Sequence, residues 1–162
     1  LLSLIKKNIQ LQLDAGAEIV MVFDSGLADL HSVLFKDKYI PLIQDLANSF
    51  PNKVGYYCRG KNQEEVKLIS NFPFAGIGID HNLDIVDFFS NTNQGFIQGN
   101  FDESKMLIDE TKLIKELNFY CDQIQNYGSI KGWVCGLGHG INRETPEKNV
   151  HLFIDIIRKR FK

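Results

Sequence analysis

Short, almost wholly apolar runs alternate along the chain with longer stretches in which apolar residues recur at helical spacing. Residues 18–24 read Glu-Ile-Val-Met-Val-Phe-Asp, and four similar runs follow at 53–58, 75–80, 95–98 and 132–137. Apolar side chains at successive positions, bounded by Gly, Asp and Asn, predict strands covered on both faces. Between the runs, Leu4, Ile5, Ile9, Leu11 and Leu13 predict a helix ending at the Asp14-Ala15-Gly16 break. Further helices are predicted over 39–50, 64–69, 83–89 and 109–124. A last helix begins at Thr145-Pro146-Glu147, read as an N-cap followed by proline at the first helical position. It runs through Val150, Phe153, Ile154 and Ile157 to the basic end Arg158-Lys159-Arg160-Phe161-Lys162, where cations suit a helix C-terminus.

Strand–helix alternation predicts an α/β fold with a parallel sheet and right-handed crossovers. Periodicity alone leaves two architectures open, a doubly wound sheet and part of a (β/α)8 barrel. A glycine-rich phosphate fingerprint does not follow the first strand, and no P-loop occurs.

Composition narrows the function. The 162 residues suffice for one core, 44% are hydrophobic and 23% charged, and the net charge is −2. That balance argues against a nucleic-acid partner, which calls for a basic excess. Three cysteines, Cys58, Cys121 and Cys135, form an odd set with no paired spacing, which predicts a reducing cytoplasm. No apolar run approaches membrane-spanning length. The chain opens Leu1-Leu2-Ser3, without an initiator methionine or a signal-peptide pattern. That start is expected of a piece of a longer gene, a processed product or an expressed fragment.

Polar and glycine residues collect at the C-terminal end of every predicted strand. They are Asp24-Ser25-Gly26, Cys58-Arg59-Gly60, Asp80-His81-Asn82, the stretch from Gln98 to Asp102, and Gly136-Leu137-Gly138-His139-Gly140. In parallel α/β folds this edge binds ligands. Ser25 is placed to offer a hydroxyl or to serve a turn, and Asp24 to cap a loop. Arg59 suits a carboxylate clamp, because its guanidinium fork matches a carboxylate. Asp80 reads as a structural carboxylate, and Gln98 and Asn100 as amides bracing neighbouring strand ends. His139, between two glycines, is placed to donate to a carboxylate or to take part in proton transfer. His31 and His151 read as surface positions without a role.

These residues carry a family resemblance. Ala15-Gly16-Ala17 leading into Phe23-Asp24-Ser25, Gly78-Ile79-Asp80, Gln98-Gly99-Asn100-Phe101-Asp102, and Leu137-Gly138-His139-Gly140-Ile141 with Glu144-Thr145-Pro146 and Asn149-Val150 occur in one order. Together they resemble the C-terminal portion of the uroporphyrinogen decarboxylase family. The resemblance selects the barrel: a partial (β/α)8 TIM barrel of about five parallel strands with their helices, residues 1–162, lacking the N-terminal part. It implies removal of the acetate carboxyl groups of uroporphyrinogen III to give coproporphyrinogen III in haem biosynthesis. It further implies a tetrapyrrole substrate, a homodimer, and no metal or organic cofactor. In that chemistry a protonated pyrrole acts as the electron sink for departing CO₂, helped by pre-placed charge.

Carried over position by position, Ser25 and His139 match substrate-binding residues of the family. No catalytic residue carries over, so the chain alone is expected to be inactive. Departures from the family pattern occur at Gly26-Leu27, His81, Glu103 and Gly136. A rival resemblance is to zinc-dependent, cobamide-dependent methyltransferases, which hold zinc with a His-x-Cys pair and a distant Cys. Cys58 and Cys135 would serve, but Tyr56 stands where the first histidine is needed, leaving His139 or His81 to complete the three or four ligands zinc requires. A non-catalytic half-barrel is the third reading; five strands cannot close an eight-stranded barrel, and both edges would be left unpaired.

Overall fold

In a computed structural model, residues 1–91, 95–128 and 131–162 are described. Helix α1 (Leu2–Asp14) leads into strand β1 (Val20–Asp24), the short helix α2 (Ser32–Leu34) and helix α3 (Ile40–Ser49). Strand β2 (Val54–Cys58), helix α4 (Gln63–Ser70), strand β3 (Gly76–Gly78) and helix α5 (Ile85–Asn91) follow. Strand β4 (Phe96–Phe101), helix α6 (Glu110–Tyr127), strand β5 (Trp133–Leu137) and helix α7 (Glu147–Arg160) complete the order. The strands form one parallel sheet, β1-β2-β3-β4-β5, with each strand beside its sequence neighbour. A doubly wound sheet would reverse its strand order at a switch point. This one does not, and it has the architecture of a partial (β/α)8 barrel.

Burial follows position in the sheet. All of β2 and β3 is buried, as their apolar runs predict. The outer strands are not: Phe23 on β1 is 63% exposed and Val134 on β5 is 42% exposed. Each lies on a strand with one paired neighbour, so nothing among the described residues covers its outer side. The core lies between sheet and helices, where Phe35, Phe88, Val66, Leu113, Leu117 and Ile124 are fully buried. Each such side chain stabilises the fold by about 1.5–3 kcal/mol relative to exposure.

Local signals set the helix ends. Asn62 and Glu65 form a capping box on α4, each accepting the other's backbone N–H. Asp109 caps α6 through the N–H of Lys112, and Gly128 ends that helix at a φ of 92°. Helix α7 begins one residue later than its sequence suggests. Pro146 is the N-cap, held extended by a ψ of 131°, and Thr145 lies outside. Its basic end does more than oppose a dipole, since Arg160 reaches Asn118, Asp122 and Gln125 on α6.

Two further elements escape the hydrophobic pattern. A π-helical stretch, Phe35–Tyr39, bridges α2 and α3, and a 3-10 turn, Glu103–Leu107, follows β4. No described helix is long and apolar enough to cross a membrane.

Candidate active site

Parallel register stacks one layer of side chains across the sheet: Phe23 beside Tyr57, Tyr57 beside Gly78, Gly78 beside Gln98. Alternation along a strand turns these residues to one face and their neighbours Asp24 and Cys58 to the other. The layer forms the floor of a cavity of about 450 Å³. Ser25, Leu137, Gly138, His139 and Gly140 enclose it from the strand ends. Ser25 and His139, far apart in sequence, therefore line one cavity at the C-terminal edge of the sheet. Among the described residues, no carboxylate lines it.

Tyr57 organises this floor. Its ring packs against Phe23 at 5.7 Å between centroids and lies within 9° of parallel to the His139 ring at 6.5 Å. Its hydroxyl donates to the carbonyl of Gly138 at 2.8 Å, fixing the backbone that presents His139. Burial, with the Asp80 carboxylate adding to it, pushes the phenol far above its ordinary range, so it remains a donor. The apolar run predicts Tyr57 only as a core residue; the tyrosine pair Tyr56-Tyr57 on a buried strand is the signal that could have marked it. Gly78 makes room for the ring, since a Cβ there would meet the Tyr57 Cβ at 2.9 Å.

The loops above the floor are tied by buried polar groups. Asp80, 2% exposed, accepts the backbone N–H of Gly60 at 2.7 Å and that of Asn82 at 2.9 Å. Asn100 donates to the carbonyls of Asp80 and Leu83 at 2.9 and 2.8 Å. Both act as the structural braces their sequence context predicts. Strand β4 runs three residues beyond the predicted apolar run, to Phe101, so Asn100 braces from within the strand. Gln98 lines the cavity instead. Asp24 faces away from the cavity and accepts the Tyr56 hydroxyl at 2.9 Å. Arg59 stands at the rim, its Nη1 lying 3.3 Å from His139 Nε2. His31 caps α2 by accepting the Val33 N–H, and His151 is exposed on α7.

The cysteines do not gather. Cys58 and Cys135 stand level on β2 and β5, with two strands between, roughly 14 Å apart along the sheet at ordinary strand spacing. Burial pushes each thiol up to about 12, so neither is a thiolate near neutrality. Among the described residues, the one group of His, Cys, Asp and Glu side chains close enough to share an ion is His81, Asp102 and Glu103. There His81 Nδ1 lies 3.0 Å from Glu103 and 4.0 Å from Asp102, whose same oxygen already accepts from Ser104.

Comparison with known proteins agrees with this geometry. The family model for uroporphyrinogen decarboxylase (URO-D) matches residues 1–160. The uroporphyrinogen decarboxylase of Orientia tsutsugamushi (strain Ikeda) is 28% identical over 156 residues, which cover 93% of this chain and 45% of that protein. That of Hordeum vulgare is 27% identical over 159 residues, covering 93% of this chain and 46% of the relative. This chain thus spans just under half the length of these relatives. Among solved structures, a methyltransferase from Methanosarcina mazei superposes with a TM-score of 0.73 over 93% of this chain and 44% of the other. At 17% identity that likeness concerns the fold alone.

Proposed function

The chain belongs to the uroporphyrinogen decarboxylase family, and on that premise we propose that its cavity is one wall of a pocket that decarboxylates uroporphyrinogen to coproporphyrinogen. The observation that carries the reading is that Ser25 and His139 line one cavity over an aromatic floor at the C-terminal edge of the sheet. Phe23 and Tyr57 offer flat apolar surface to a pyrrole ring. The Ser25 hydroxyl and the His139 imidazole offer hydrogen bonds to its acetate and propionate groups.

The reaction further needs an acid facing the pyrrole nitrogens, to hold the protonated ring as CO₂ leaves. The cavity lining offers none, and both oxygens of Asp80 are engaged by backbone N–H groups. In this reading the chain is the C-terminal portion of the barrel. The acid and the remaining strands come from a further segment or a second polypeptide. Assembly as a homodimer belongs to the same reading, as does a cytoplasmic location, which the free state of all three cysteines supports.

The test is binding of uroporphyrin III, the stable oxidised form of the substrate, followed by porphyrin fluorescence. Saturable binding, weakened about tenfold by either Ser25→Ala or His139→Ala, is the expected result. Binding that neither substitution affects would remove the pocket from consideration.

A further inference from the structure

Arg59 follows directly on β2, its backbone N–H bound to the carbonyl of Asp24 at 3.1 Å. This bond sets Arg59 beside the start of the Ser25 loop. The side chain extends across the cavity rim to His139, on the far side of the sheet edge. It is exposed, and among the described residues no carboxylate lies within ion-pairing distance of it. Asp80, which supports the same loop, is buried beneath and occupied by Gly60 and Asn82.

The contact that Arg59 does make is a weak one. A guanidinium N–H meets an imidazole nitrogen at 3.3 Å in water-accessible surroundings, where such a bond contributes little. Two donor-bearing groups thus converge on one point with no anion between them. A carboxylate entering there would exchange that bond for charge-assisted hydrogen bonds, which are about twice as strong as neutral ones. Immediately behind His139 lie the parallel ring of Tyr57 and, beyond it, Phe23. The arrangement therefore joins a flat apolar seat to a cationic rim.

We propose that Arg59 and His139 form a shared carboxylate-binding subsite, taking a carboxylate carried on a short side chain of an aromatic heterocycle seated on Tyr57 and Phe23. This deepens the tetrapyrrole reading and rests on it for the identity of the heterocycle. Arg59 supplies the fixed charge and the two-pronged donor; His139 supplies the second direction of approach. Lysine at this position would keep the charge but lose the fork.

The test compares the wild-type chain with Arg59→Gln, Arg59→Lys, His139→Gln and the double variant Arg59→Gln/His139→Gln. The probes are uroporphyrin III, followed by fluorescence, and glutarate, followed by the NMR shifts of the His139 ring protons. Because Arg59 is exposed, its variants should melt within about 2 °C of wild type. Arg59→Gln should weaken uroporphyrin binding about tenfold, with Arg59→Lys intermediate. The double variant should lose less than the product of the two single losses, because one ligand group is shared. Uroporphyrin binding that Arg59→Gln leaves unchanged, or single losses that simply multiply, would overturn the subsite while leaving the pocket standing. A wild-type chain that ignores uroporphyrin yet shows an Arg59-dependent glutarate response would keep the subsite and sink the tetrapyrrole reading. A chain that binds neither probe would overturn both.

Discussion

The Tyr57 hydroxyl donates to the Gly138 carbonyl at 2.8 Å, joining the second strand of the sheet to the loop after the fifth, across the mouth of the cavity. The bond spans 81 residues of sequence and fixes the peptide just before His139. Tyr57→Phe removes it with little change of shape, leaving a carbonyl without its donor. The expected cost is about 1–2 kcal/mol of stability, read from a urea midpoint. A looser His139 should also weaken uroporphyrin III binding several-fold. Lost stability with unchanged binding would mean that Tyr57 supports the fold and not the histidine.

The floor depends on a missing side chain. Gly78 sits beside Tyr57 in register, and a methyl group there would come within 2.9 Å of the tyrosine Cβ and 3.1 Å of its ring. Gly78→Ala should therefore cost about 1–3 kcal/mol by overpacking. It should also displace the Tyr57 ring, visible as altered aromatic proton shifts for Tyr57 and His139. A substitution as mild as a surface one would show that the floor can relax.

Helix α7 is held to the loop after β4 by one buried amide. Asn149, 1% exposed, donates to the carbonyls of Met106 and Ile108 at 2.8 and 3.0 Å. Asn149→Ala strips both carbonyls of their donor and opens a small void, so a loss of about 2–4 kcal/mol is expected in chemical denaturation. A loss under about 0.5 kcal/mol would show that water takes over both bonds.

Alkaline pH should destabilise the chain through its buried thiols. Cys58 and Cys135 are raised by burial from an ordinary 9.0 to about 12. Below pH 9 these thiols are protonated in folded and unfolded chains alike and do not affect the balance. Above it the unfolded chain releases protons that the folded chain retains, so stability falls as pH rises from 9 towards 12. Denaturation midpoints between pH 8 and 10 should show the decline, and Cys58→Ala/Cys135→Ala should flatten it. An equal slope in the variant would assign the decline to other groups, first to Cys121, whose thiol burial also raises, and then to the buried tyrosines.

Much of this was legible in the residues. Continuous apolar runs predicted all five strands, and the polar ends of those runs marked the edge where Ser25 and His139 line one cavity. The braces Asp80 and Asn100 were legible because a buried carboxylate or amide at a strand end must find backbone partners. Other features were hidden for physical reasons. Tyr57 looks like any apolar core residue until parallel register sets it beside Phe23 and Gly78. The stretch from Ser32 to Tyr39 is helical although it lacks a clean apolar stripe, because Phe35 alone buries deeply there. The exposed outer strands were misread as covered, since an apolar run does not reveal whether a neighbour exists to pair with it. The suggested zinc ligands failed on alternation: Cys58 immediately follows the cavity-lining Tyr57 and so points to the opposite face.

The proposed pocket would take from this chain the binding wall for a tetrapyrrole and not the acid that completes it. Incubating the purified chain with reduced uroporphyrinogen III under anaerobic conditions, and separating the products by carboxylate number, tests this most directly. The expected result is that the chain binds the tetrapyrrole and returns it with all eight carboxylates intact. Formation of coproporphyrinogen by the chain alone would contradict it, for the acid would then have to lie within these 162 residues.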